Sequence, residues 1–162
     1  DVVAFAVHTT RARTLYAVLK GRGVFRSEDG GARWRLVDKG PRAEIRRLVH
    51  SNMPGSMQTG WLFAATDAGV YRAMDCFCGF RIAGSLKTKI SAVTYDPAQP
   101  KRLYVAAAAQ VFRSVDGGED WQPTTSPGRA VVALAHSPSG VLYALLADGQ
   151  VKQSSNQGEQ WK

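Results

Sequence analysis

The chain has 162 residues, 44% of them apolar, and carries 21 Lys and Arg against 13 Asp and Glu for a net charge of +8. That length supports a core of its own, and no run approaches the roughly 20 apolar residues that a membrane-spanning helix needs. The charge is uneven: residues 1–50 hold eleven of the basic side chains and five of the acids, an asymmetry that points to an anionic partner.

In chain order, four units repeat the same plan. The first (1–38) opens with the apolar run Val2–Val7, continues through Leu15-Tyr16-Ala17 and, after a short turn, Val24-Phe25-Arg26, and then reaches Ser27-Glu-Asp29-Gly-Gly31-Ala-Arg-Trp34. The second (39–84) runs through 45–49, Leu62-Phe63-Ala64 and Val70-Tyr71-Arg72 to the eroded string Ala73-Met-Asp75-Cys-Phe-Cys-Gly-Phe80. The third (85–125) runs through 90–95, Leu103-Tyr104-Val105 and Val111-Phe112-Arg113 to Ser114-Val-Asp116-Gly-Gly118-Glu-Asp-Trp121. The fourth (126–162) runs through 130–135, Leu142-Tyr143-Ala144 and Val151-Lys152-Gln153 to Ser154-Ser-Asn156-Gln-Gly158-Glu-Gln-Trp161.

From closing aromatic to closing aromatic the spacings are 46, 41 and 40 residues. A period of about 40–50 residues built from short alternating, β-branched and aromatic runs marks a propeller or array. The fold expected is all-β, a β-propeller of four-stranded antiparallel blades with strands A to D in each unit, either as one domain over 1–162 or as a four-blade portion of a larger ring.

The box falls in the C-to-D hairpin. Its Ser and Asp can bond neighbouring backbone groups and hold the turn closed, its glycine tolerates positive φ, and its Trp is large enough to wedge between its own blade and the next. Ala73 lacks the hydroxyl and Phe77 replaces the glycine, so the second turn should be differently shaped while the fold survives.

On these residues the chain resembles the Asp-box proteins, also named BNR repeats, whose S-x-D-x-G-x-x-W pattern sits in the C-to-D hairpin of propeller blades. The resemblance covers essentially all 162 residues. It implies that Ser27, Asp29, Gly31, Trp34, Asp75, Phe80, Ser114, Asp116, Gly118, Trp121, Ser154, Asn156, Gly158 and Trp161 are structural and remote from any ligand. It implies no single function, because sialidases, xyloglucan-cleaving enzymes, sortilin-type receptors and photosystem assembly factors share it. It also implies an extracytoplasmic location. The start at Asp1 suggests a processed or excised chain. The stop at Trp161-Lys162 leaves three closures open: a four-bladed ring, half of an eight-bladed ring completed by a second copy, or part of a longer propeller.

In a blade the B-to-C and D-to-A loops share one face. That face should carry Lys20, Arg22, Lys39, Arg42, Lys87, Lys89 and Arg129 against Asp38, Glu44, Asp67 and Asp148, a positive surface suited to an anionic partner. Catalytic chemistry is harder to assemble. The arginine cluster and the tyrosine–glutamate pair of a sialidase are missing. Tyr16, Tyr104 and Tyr143 share a packing column with Phe63, and Arg26, Arg72 and Arg113 share another. Asp67 and Asp148 could supply the carboxylate pair of an inverting glycosidase, but aspartates are common in turns for backbone reasons alone.

His8, His50 and His136 fall in one column at the end of strand A, with Tyr95 in the third place. Face-to-face sheets lie about 10 Å apart, too far for a shared zinc, which needs nitrogens at about 2.0–2.1 Å. No metal or cofactor is therefore expected. Cys76 and Cys78 are two residues apart, a spacing that rarely meets disulfide geometry. Nucleic acid is disfavoured because neither a stacking platform nor a reading helix accompanies the charge.

The reading is a non-catalytic binding or assembly scaffold that recognises a protein surface or an anionic glycan through the loop face, with a homodimer completing the ring as a further option. The alternative is a glycoside hydrolase, sialidase- or xyloglucanase-like, of which this chain supplies part of the catalytic propeller.

Overall fold

The computed structural model describes residues 1–57 and 59–162. Among the described residues, fifteen strands form four antiparallel sheets, three of four strands and a last one of three. The first sheet is β1 (Val2–Val7), β2 (Leu15–Leu19), β3 (Gly23–Ser27) and β4 (Arg35–Asp38); the second is β5 (Ile45–Ser51), β6 (Trp61–Thr66), β7 (Gly69–Met74) and β8 (Arg81–Ile82). The third is β9 (Ala92–Asp96), β10 (Gln99–Ala107), β11 (Gln110–Ser114) and β12 (Gln122–Pro123), and the fourth is β13 (Val131–His136), β14 (Leu142–Leu146) and β15 (Val151–Ser154). In each sheet the strands pair in sequence order, the meander of a propeller blade. At the end of the last sheet the Lys162 and Gln153 backbones exchange hydrogen bonds of 3.0 and 3.1 Å, at the position where the first and third sheets pair their third and fourth strands.

The first strands sit side by side along the inner edge, β1 on β5, β5 on β9 and β9 on β13. The second strands of the first three sheets are buried on both faces at their centres, β14 on one face only, and their alternation decides which neighbour each side chain meets. Tyr16 and Val18 pack with Leu62 and Ala64 of the second sheet. Phe63 and Ala65 pack with Leu103 and Val105 of the third, and Tyr104 and Ala106 with Leu142 and Ala144 of the fourth. The aromatic column therefore always faces the following sheet. The outermost faces carry exposed apolar side chains, Phe5 and Leu36 on the first sheet, Leu145 and Val151 on the last.

The three intact boxes make the same turn. Ser27 Oγ donates to Asp29 Oδ1 (2.9 Å) and accepts from Gly31 N (2.8 Å). Ser114 does the same with Asp116 (2.7 Å) and Gly118 (2.8 Å), and Ser154 with Asn156 and Gly158 (2.9 Å each). The Asp, or Asn156 in the last box, then accepts the backbone N–H four residues on, from Arg33, Asp120 and Gln160 in turn. The glycines that close these turns lie at φ 97, 89 and 90°, where a Cβ is strained.

The Trp does not wedge toward the following sheet. Trp121 Nε1 donates to the Ala83 carbonyl of the second sheet's outer edge (3.0 Å), and Trp161 Nε1 to the Thr125 carbonyl after the third sheet (2.8 Å), so each box reaches backward. Trp34, in the first of the described sheets, donates to its own Gly31 carbonyl (3.0 Å) and is 40% exposed, against 8% for Trp121. A strand-C arginine answers from the other side. Arg26 donates to the Asp75 carbonyl (3.3 Å), Arg72 to Gly117 (2.8 Å) and Arg113 to Gln157 (3.5 Å), and the latter two also pair with Glu119 and Glu159. The second and third seams are thus latched from both partners, while the first has the Arg26 bond and the packing of Phe77 and Phe80.

Candidate functional site

The loops at one end of the sheets carry the seven basic residues singled out above. Lys20 and Arg22 lie in the β2–β3 turn, Lys39 and Arg42 between β4 and β5, Lys87 and Lys89 between β8 and β9, and Arg129 between β12 and β13. Three of them converge. Lys20, Lys39 and Arg42 line a cleft of about 290 Å³ at the seam of the first two sheets, floored by Val3, Val18 and Ile45. Its walls are two glycine-containing segments. In the turn, Gly23 (φ 107°) lies against the end of β4, where a Cβ would collide with the Asp38 carbonyl. In the connection, Gly40 (φ 81°) donates its N–H to Asp38 Oδ1 at 2.6 Å.

The acids of this face are engaged elsewhere. Glu44 pairs with Arg46 (3.3 Å), and Asp67 Oδ1 accepts the Glu44 N–H (2.9 Å). Asp38 is occupied by its turn. Lys20, Lys39 and Arg42 have no acid within ion-pair distance among the described residues, and all three are exposed. The other four do not join them. Arg22 lies over the Phe25 ring at 5.6 Å. Arg129 pairs with Asp148 at 3.6 Å. Lys89 lines a separate cavity of about 420 Å³ at the seam of the third and fourth sheets, with Ser91, Ala107 and Val131, and Lys87 is exposed in the same connection.

The two aspartates weighed as a catalytic pair both hold turns. Asp67 secures the connection at Glu44, and Asp148 Oδ1 accepts the Gln150 N–H (3.1 Å). They belong to the second and fourth sheets.

The expectation that sheet spacing keeps the column histidines apart fails for His8 and His50. The sheets fan out from the inner edge, where β1 and β5 are neighbours, and the two rings stack with centroids 3.9 Å apart. Asp75 completes the group: its Oδ2 lies 3.7 Å from Nε2 of both histidines, and all three residues are buried. The Asp75 carboxylate therefore does not cap its own hairpin. It accepts the Thr59 hydroxyl and N–H, and Thr59 Oγ1 lies 2.7 Å from His8 Nε2. His136 lies apart, 3.9 Å from Asp96 and stacked on Tyr104.

Three such residues are a familiar donor set for a metal, but their hydrogen bonds argue against it. His8 Nδ1 accepts the N–H of Thr10 (3.1 Å) and of Arg11 (3.2 Å), and His50 Nδ1 accepts that of Thr9 (3.2 Å). Nitrogens that accept carry no proton, so in the neutral rings the proton sits on Nε2, facing Asp75. A metal ligand needs its lone pair there and its proton on the other nitrogen. The group instead centres on one buried carboxylate that accepts from Thr59, with both Nε2 atoms 3.7 Å away, beyond hydrogen-bond distance. Burial holds both histidines neutral, pushing His8 below its ordinary value and His50 down to about 4, with the Asp75 charge opposing the shift in each. The same burial pushes the Tyr16 phenol, stacked on His50 at 5.7 Å, up to about 12.

The hint in the sequence was the combination of a histidine column with a box that had lost its Ser and Gly. With no hydroxyl at Ala73, the Asp75 carboxylate had no local partner.

No family model matches this sequence, and no curated protein matches it. Solved structures do, at the level of the fold. A GH74 enzyme from Niastella koreensis is similar over 99% of this chain and 29% of its own, with TM-score 0.77 and 19% identity. YCF48 bound to D1 peptide is similar over 100% and 52%, with TM-score 0.67 and 14% identity. A chain of a nidogen/laminin complex is similar over 99% and 63%, with TM-score 0.80 and 11% identity. The chain spans less than two thirds of the length of each. The four meandering sheets packed along a common inner edge are a β-propeller fold.

Proposed function

We propose that this chain is part of an Asp-box β-propeller and acts as a non-catalytic binding or assembly scaffold. It takes an anionic segment of a partner, an acidic peptide stretch or an acidic glycan, at the seam cleft of Lys20, Lys39 and Arg42. What carries the reading is the convergence of three cations without acid partners on a concave, glycine-walled surface, where an incoming carboxylate or sulfate gains charge-assisted hydrogen bonds. Lys87 and Lys89 extend the positive face, while Arg22 and Arg129 are held by Phe25 and Asp148. The similar propellers include one bound to a peptide and one in a protein complex, which favours partner recognition as a use for such a face.

The test is a titration with a fluorescent poly-glutamate peptide and with a sulfated glycan, followed by anisotropy at two salt concentrations. Binding should weaken at least tenfold in the triple variant K20E/K39E/R42E and stay close to wild type in R11E/K101E, two exposed side chains away from these loops, in the β1–β2 connection and near the start of β10. Equal loss in both would mean diffuse charge attraction. No loss in the triple variant would mean the wrong face.

The hydrolase reading draws on the similarity to GH74 enzymes. It predicts cleavage of β-glucans that is lost in D67N or D148N. The turn-holding bonds of both aspartates weigh against it.

A further inference from the structure

The hairpin of the second unit lacks the acceptor of the hydrogen bond that closes the intact boxes, since Ala73 has no hydroxyl, and Phe77 stands at the glycine position. The turn still reverses the chain. Phe77 takes φ 58° and its N–H donates to the Met74 carbonyl (2.9 Å), while its half-buried ring packs against the core beside Tyr16 at 5.8 Å. With Phe77 anchored inward and Gly79 also at positive φ (97°), the flanking side chains Cys76 and Cys78 turn outward together. Their sulfurs are 2.9 Å apart, both free, and Cys78 is exposed. Sequence spacing alone argued against such proximity.

We propose that Cys76 and Cys78 form a dithiol–disulfide site that reacts with small disulfides bearing carboxylates and closes this hairpin covalently, in place of the missing Ser-to-Gly bond. The sulfurs need to move by less than about 1 Å to reach the bonding distance near 2.05 Å. Cys78 opens onto a surface cavity of about 140 Å³ shared with Trp61, Arg72 and Arg81. Arg72 is committed to Glu119, and the exposed Arg81 is available for a carboxylate. In the first step one thiolate attacks a sulfur of the incoming disulfide, forming a mixed disulfide and releasing one thiolate. In the second, the other cysteine attacks the protein-side sulfur, expelling the second thiolate. The cysteines lose two protons and two electrons, and the small disulfide is reduced to two thiols.

The experiment equilibrates the reduced protein with graded ratios of oxidised to reduced glutathione, quenches with acid, alkylates the remaining thiols with N-ethylmaleimide and reads the intact mass. Wild type should show only two species, one with two maleimides and one with none that is lighter by two hydrogens, exchanging in one transition. C76S and C78S should each accumulate a stable glutathione adduct, because the second attack is removed. Glutathione disulfide should react severalfold faster than the cationic cystamine, and R81E should erase that preference. A stable single adduct on wild type, disulfide-linked dimers, or full alkylation at the most oxidising ratio would each overturn the dithiol–disulfide site. An unchanged preference in R81E would overturn the role of the cavity.

Discussion

The hairpins of the second and third units descend from one pattern and do different work. In the third, Ser114, Asp116 and Gly118 bond among themselves and to the backbone, and Trp121 reaches back to Ala83, so the box closes its own turn and locks a seam. In the second, the acid has left the turn for a buried cluster with Thr59, His8 and His50, and Phe80 packs against the core shared with the first sheet. The comparison teaches that the position of the box, not its internal hydrogen bonds, is what the propeller keeps. Whatever stands there must tie one sheet to the sheet before it.

Trp121→Ala should be the most damaging change. It removes a buried indole and a bond across the seam, which costs about 3–5 kcal/mol in chemical denaturation. Trp34→Ala, the same residue in a box whose indole bonds only its own hairpin in this chain, should cost less than about 1 kcal/mol, as expected for an exposed position. Equal costs would remove the claim that the Trp acts on the preceding sheet.

Acid should separate the two hairpins next. His50 titrates near 4 in the folded chain and near 6.5 when unfolded. Above 6.5 it is neutral in both states and its contribution is intact. As pH falls from 6.5 to 4 the unfolded chain takes up the proton first, so stability drops by on the order of 3 kcal/mol and then levels off. His50→Gln should flatten that part of the stability–pH curve, whereas Asp116→Ala should leave its shape unchanged.

Smaller still are the two acids themselves. Asp116→Ala and Asp75→Ala each leave hydrogen-bond donors without an acceptor and should cost about 1–3 kcal/mol by thermal or urea unfolding. The difference lies in the histidines. Since the Asp75 charge raises His8 and His50 against desolvation, Asp75→Ala should move their imidazole titration, followed by NMR, to still lower pH. Asp116→Ala should not move it.

Much of this was legible in the sequence. The recurrence of Leu-aromatic-Ala and Val-aromatic-Arg at blade spacing specifies strands, their order and their alternation, and the shared columns of Tyr16, Phe63 and Tyr104 identify packing. The direction of the Trp was not legible, because a repeat with a sheet on either side does not say which neighbour a side chain meets. Nor was the His8–His50 contact, which depends on how closely the first strands approach at the inner edge. Proximity of Cys76 and Cys78 depends on the positive φ of Phe77, a backbone state that a phenylalanine does not advertise. The seven basic residues lie between strands, as the repeat implies. That only Lys20, Lys39 and Arg42 converge follows from local partners that claim Arg22 and Arg129 and from the distance along the face to Lys87 and Lys89.

The most direct test of the cleft is hydrogen exchange read by mass spectrometry on the protein saturated with the poly-glutamate peptide. Protection confined to residues 19–23 and 39–45, and lost in K20E/K39E/R42E, is the result expected from recognition at the seam of the first two sheets. Protection at the box hairpins 27–34 and 114–121 instead, with 19–23 and 39–45 unchanged, would contradict it.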